Sequence, residues 1–106
     1  MEETGGIVLC AASAYTKKYY FNEDFSLLPQ RIRDELQILC VMFTEDVGGI
    51  FTLFFDGDGR LRMRTEAAEA DGNYDDIGSE LKIRQMCRDK EELFRSLELF
   101  YQTFAG

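Results

Sequence analysis

The apolar positions along the chain change period several times, and each change marks an element. Gly5-Gly6-Ile7-Val8-Leu9-Cys10 opens a short apolar run bounded by glycines, the pattern of a buried strand. After a turn near Ser13 to Thr16, the aromatic-rich run Lys17 to Phe21 (KKYYF) predicts a second strand. Pro29 suits the first turn of a helix, because its fixed φ is already helical and its missing N–H is no loss there. From Pro29 to Val47, residues Ile32, Leu36, Leu39, Cys40, Phe43 and Val47 fall within a stripe about 100° wide. Gly48-Gly49 ends that helix, since glycine accepts the left-handed C-cap conformation without steric cost. Gly49 to Phe55 and Arg60 to Glu66 read as two more strands, with Asp56-Gly57-Asp58-Gly59 between them. The acidic stretch 66–80, which carries no base, reads as a solvated loop. Helix resumes with Ser79 as its N-cap, and Asp89 with Glu92 could cap a further one. Leu93, Phe94, Leu97, Phe100, Tyr101 and Phe104 make a final stripe about 120° wide. Whether 79–104 is one helix or two is left open by the pattern.

The order strand, strand, helix, strand, strand, helix predicts an α+β fold. Two hairpins with one apolar face each, and two main helices with one stripe each, bury one another as a two-layer sandwich. The sheet is expected to be antiparallel, of about four strands, with both helices on one face, in a single domain spanning 1–106. Gly5-Gly6-Ile7 and Gly48-Gly49-Ile50 open the two halves, but three identical residues are a thin basis for an internal duplication.

The stretch FFDGDGRL (Phe54 to Leu61) invites a calcium reading. An EF-hand loop needs oxygen ligands at positions 1, 3 and 5, glycine at 6 and glutamate at 12. Placing Asp56, Asp58 and Gly59 at positions 3, 5 and 6 puts Phe54 first and Thr65 twelfth, and starting at Asp56 puts Arg60 fifth and Leu61 sixth. Neither register works, whereas Asp and Gly tolerate the positive φ values of a hairpin turn. On the following strand Arg60, Arg62 and Arg64 alternate with Leu61 and Met63. For a turn of even length, pairing places Phe51, Leu53 and Phe55 on the arginine face and Ile50, Thr52 and Phe54 toward the helices. That face is a candidate anion or partner site, extended by Lys17 and Lys18. The alternative, and the favoured one, is an outer sheet face where arginine stems cover phenylalanine rings.

Apolar residues are left over on the first helix. Ile38, Val41 and Met42 lie off its stripe, with Asp34 and Glu45 close by, and Leu99 is similarly displaced on the last helix. Either Ile38 and Val41 pack against the last helix, or they serve a homodimer or a complex.

Composition removes many chemistries. Twelve basic against twenty acidic residues give a net charge of −8, which disfavours nucleic acid and anionic membrane as partners. The longest apolar run, Ile38 to Phe43, is far too short to span a bilayer. The opening MEETGG lacks the basic-then-apolar order of a signal peptide, and Cys10, Cys40 and Cys87 are widely spaced among apolar residues. Reduced, mostly buried thiols in a cytoplasmic protein are expected. With no histidine, the His-based triads, His metal sites and the usual neutral-pH proton shuttle are absent. No CxxC, GxGxxG or GxxxxGK[ST] occurs. Cys87, beside Arg88, is the thiol least secure as a core residue. No catalytic residue, metal site or cofactor is expected.

Four segments carry a resemblance: KYYFN (Lys18 to Asn22), LQILCVMFTEDVGGI (Leu36 to Ile50), DIGSELKIR (Asp76 to Arg84) and ELFRSLELFYQTF (Glu92 to Phe104). Their order resembles an uncharacterised family of bacterial proteins of this length, a domain of unknown function covering nearly the whole chain. The resemblance implies a compact stand-alone domain and brings no activity, cofactor or site residue with it. At the level of the fold, the chain is also similar to small acidic secretion chaperones, dimeric α+β proteins that hold a partner's unfolded segment, although those differ in helix–strand order. Three readings follow. The first is a non-enzymatic interaction or regulatory domain presenting Arg60/Arg62/Arg64 or Ile38/Val41/Met42. The second is a small-ligand or anion sensor using Tyr19, Tyr20, Phe55 and the arginines. The third is a carboxylate enzyme with a divalent cation at Asp71, Asp75 and Asp76.

Overall fold

Alternating side chains and glycine-bounded turns build the sheet first. In the computed structural model, which describes residues 6–72 and 74–104, β1 (Ile7–Ser13) and β2 (Lys18–Phe21) form one hairpin. β3 (Ile50–Phe55) and β4 (Leu61–Glu66) form the other, and β1 pairs with β3, so the antiparallel order is β2-β1-β3-β4. A bulge between Val8 and Cys10 shifts the register against β3, and Leu9 and Cys10 are both fully buried there. The first hairpin turns through Lys17, which takes φ of +57°.

α1 (Gln30–Val47) starts behind Pro29 at φ −58° and stops at Gly48, whose N–H donates to the Thr44 carbonyl at φ +89°. Gly49 follows at φ +73°, and a Cβ there would sit 2.5 Å from the Glu66 carbonyl oxygen and 2.8 Å from the Tyr74 ring. Only glycine can join α1 to β3 along this path.

One face of the sheet carries the core. Leu36, Cys40, Phe43 and Val47 of α1 are buried as their spacing predicts, with Ile32 and Leu39 partly so. Phe43 stacks on Phe51 at 4.3 Å, and Phe55 stacks on Tyr101 at 4.3 Å and 7°. Tyr101 belongs to α3 (Glu91–Phe104), which buries Phe94, Leu97 and Tyr101. Phe104 departs from expectation: it is exposed at the end of α3, its ring 4.9 Å from that of Phe100 on the same helix. Leu99 is exposed, as its place off the stripe implies.

The C-terminal region is two helices, giving the order ββαββαα. α2 (Asp76–Asp89) begins behind Asp75, whose carboxylate accepts the Gly78 N–H at 2.8 Å. Ser79, expected as the cap, is instead buried and takes a hydrogen bond from the Tyr74 hydroxyl. The chain breaks at Lys90, whose N–H still donates to the Met86 carbonyl while its amine reaches Glu35 of α1 at 2.9 Å. No helix among the described residues is long and apolar enough to cross a membrane.

Candidate functional site

The hairpin tip settles the geometry of the arginines. Phe55 pairs with Leu61, so the loop holds five residues, Asp56 to Arg60. Its organiser is Asp56: one carboxylate oxygen accepts the N–H groups of Asp58 and Arg60 at 2.9 and 3.0 Å, and the other accepts Arg62 Nε at 2.7 Å. Gly59 closes the loop at φ +79°. The Arg62 guanidinium, with the two backbone donors, holds the Asp56 carboxyl below its ordinary range. DGDG is thus a turn whose first carboxylate is fully occupied inside it.

A five-residue loop is odd in length, and this inverts the expected faces. Phe51, Leu53 and Phe55 lie with Met63 and Leu61 against the helices, and Phe51 and Phe55 are 0% and 1% exposed. The expectation that these two phenylalanines line an arginine surface is therefore wrong. Phe54 and Thr52, opposite Arg62 and Arg64, take the open face, the one turned from the helices, where Thr52 is nonetheless buried and Phe54 half-buried. Arg60 leaves that face altogether, since it sits in the loop and turns to Glu98 of α3 at 3.4 Å. Arg62 pairs with Asp56, while Arg64 pairs with Glu66 at 3.3 Å and lies 4.9 Å over the Phe54 ring. Each guanidinium has its own carboxylate, so the three do not converge on a common anion. Lys18 is on β2, at the opposite edge of the sheet, and does not extend the group. Tyr19 and Tyr20 point to opposite faces, with Tyr19 partnering Ala12 and Tyr20 partnering Ala11, so the aromatic pocket expected for a sensor does not assemble either.

The helix face fares differently. α2, rather than the last helix, lies along α1, and Ile38 and Met42 stay 63% and 51% exposed. Between the two helices runs an open groove of about 580 Å³, with Leu39, Phe43 and Met86 among its lining residues and Ile38 and Met42 on the α1 side. Ion pairs cross between the helices at each end: Lys82 to Asp46 at 2.7 Å and Lys90 to Glu35 at 2.9 Å. From residue 35 to 46 the helical rise makes this apolar interval about 16 Å long. Val41 does not share it; it points to the other flank of α1 and is half-buried against the core. On α2, Ile77 and Leu81 are one turn apart and exposed.

Comparison with known proteins adds a family to this geometry. The model of a family of unknown function, DUF6145, matches residues 6–106. The chain belongs to DUF6145. No curated protein and no solved structure matches it.

Two further clusters in this DUF6145 chain have chemistry worth describing. Cys10 and Cys40 meet in the core with sulfurs 3.7 Å apart, and the contact with the Cys10 thiol together with burial pushes the Cys40 thiol up. Tyr19 has its buried hydroxyl beside them, and burial raises that phenol as well. Raised in this way, the Cys40 thiol and the Tyr19 phenol are held neutral, the opposite of what a nucleophile requires. Cys87 is exposed, as its doubtful core position suggests, with its sulfur 3.9 Å from that of Met63. Of the acidic loop, Asp75 caps α2, and Asp71 accepts a hydrogen bond from Tyr15 at 2.5 Å. Among the described residues no three of His, Cys, Asp or Glu are grouped to hold a metal ion.

The α2 half of the groove escaped the sequence reading. From α2 it is lined by Lys82, Gln85, Met86 and Asp89, of which Met86 alone is apolar, so hydrophobic periodicity carried little signal for it.

Proposed function

We propose that this DUF6145 member is a non-enzymatic protein–protein interaction domain, working in the cytoplasm, that engages its partner through the α1–α2 face. The observation that supports this is the exposed apolar pair Ile38 and Met42 above a groove fenced by ion pairs. An apolar interval about 16 Å long accepts roughly three turns of a partner helix, a recurrent mode of helix recognition. The arginine face supports the reading less, since its charges are satisfied within the chain. A net charge of −8 points to protein rather than nucleic acid or anionic lipid. A second reading, a small apolar ligand, has one favourable observation: about 580 Å³ falls in the usual range for ligand sites.

A photo-crosslinking amino acid at position 42, compared with one at Tyr20 on the open sheet face, tests the proposal in cells making the protein. Discrete protein adducts from position 42 and none from position 20 are expected. Adducts from position 20 alone, or from neither, would refute the assignment of this face.

A further inference from the structure

Along the outward side of α1, Arg31, Ile38 and Glu45 recur every seven residues, with Asp34 and Met42 beside them. A heptad step drifts by only about 20° on a straight helix, so these side chains form one seam turned away from the core. The seam is oppositely charged at its two ends and apolar in the middle. Arg31 and Glu45 stand about 21 Å apart along the helix, too far to pair within one chain. Both are exposed, and neither makes an ion pair among the described residues, whereas nearby Glu35 and Asp46 are taken up by Lys90 and Lys82.

Such a seam complements itself in one arrangement and not in others. Parallel α1 helices would set Arg31 against Arg31 and Glu45 against Glu45. Antiparallel helices crossing midway between Ile38 and Met42 would set Asp34 against the partner's Asp46 and Glu35 against the partner's Glu45. Antiparallel helices crossing at Ile38 bring Ile38 onto the partner's Ile38 and Asp34 beside the partner's Met42. The same register brings Arg31 against the partner's Glu45, and two-fold symmetry makes that pair twice.

We propose that the occupant of this face is a second copy of the chain, in a two-fold homodimer with antiparallel α1 helices, Ile38 on the axis and Arg31 of each copy facing Glu45 of the partner subunit. Like charges set opposite each other disfavour the other two registers, so charge selects orientation while Ile38 and Met42 supply apolar contact. The inference rests on the interaction reading of the α1–α2 face and gives its partner.

Light scattering on the full chain, with circular dichroism on every variant, provides the test. Wild type is expected to be a dimer and Ile38→Glu a folded monomer. Arg31→Glu alone and Glu45→Arg alone each oppose like charges at two places, and the dimer dissociation constant of each is expected to rise about tenfold or more. An equimolar mixture of those two variants should dimerise as tightly as wild type, because the mixed pair restores both ion pairs in swapped form. A rescue of this kind cannot arise from contacts within one chain. A wild type that is monomeric at every concentration overturns the proposal. So does a dimer indifferent to both charge reversals, or a mixture no tighter than its components. Should wild type be monomeric while position 42 still crosslinks a different protein, self-pairing falls and the interaction reading stands.

Discussion

Truncating two adjacent phenylalanines reads the hairpin register directly. Phe55→Ala removes a ring that is 1% exposed, stacked on Tyr101 at 4.3 Å and 5.6 Å from Phe25. A buried Phe→Ala substitution costs about 3–5 kcal/mol, the transfer of the ring plus the cavity it leaves. Two aromatic partners, Phe25 in the short 3-10 turn Glu23–Phe25 and Tyr101 in α3, leave little freedom to collapse, which argues for the upper half of that range. Phe54→Ala removes a half-buried ring on the open face, whose particular partner is the Arg64 guanidinium at 4.9 Å. An exposed cation–π contact contributes about 0.5–1 kcal/mol, and partial burial of the ring brings the total to about 1–2 kcal/mol. Urea unfolding followed by far-ultraviolet circular dichroism separates the two. With a slope of about 1–3 kcal/mol per molar urea, a loss of about 4 kcal/mol lowers the midpoint by roughly 2 M, against less than about 1 M for Phe54→Ala. If Phe54→Ala costs as much as Phe55→Ala or more, the five-residue loop and the inward placement of Phe51, Leu53 and Phe55 are wrong.

Other expectations follow from single contacts. Gly49→Ala must place a methyl against the Glu66 carbonyl at a φ of +73°, so a loss above about 2 kcal/mol is expected in the same urea assay. Asp75→Ala deletes the α2 cap, worth about 1 kcal/mol, and should lower the melting temperature by about 4–8 °C. Asp56 titrates below its ordinary 3.8 in the folded chain, so its contribution is complete above that value and is lost as pH falls through the depressed one. The stability gap between wild type and Asp56→Asn should therefore be constant at neutral pH and close in acid. In a disulfide-exchange titration of the native protein, Cys87 is expected to react alone, with Cys10 and Cys40 following only in denaturant.

What the sequence made legible, and what it hid, divides along the range of the interactions involved. Periods of 2 and 3.6 are local, so the four strands, α1 with its buried Leu36, Cys40, Phe43 and Val47, and the α+β layering were all readable. The glycines at 48 and 49 were readable for the same reason, because positive φ is a property of the single residue. The arginine face was lost by one residue of loop length, a quantity that Asp56 decides by folding its carboxylate back onto Asp58, Arg60 and Arg62. No periodicity reports such a count, yet it exchanges every side chain of β3 between the two faces of the sheet. The break at Lys90 was left open, since Asp89 with Glu92 offered a cap but neither glycine nor proline marks the site, and the contact made there, Lys90 to Glu35, joins residues 55 apart. That same contact, with Lys82 to Asp46, ties α2 against α1 and leaves the last helix elsewhere. The leftover Ile38 and Met42 thus reached the surface by elimination: α2 packs beside α1 through its partly buried Ile83 and Met86, the last helix packs elsewhere, and an apolar seam with opposite charges at its ends remained outside.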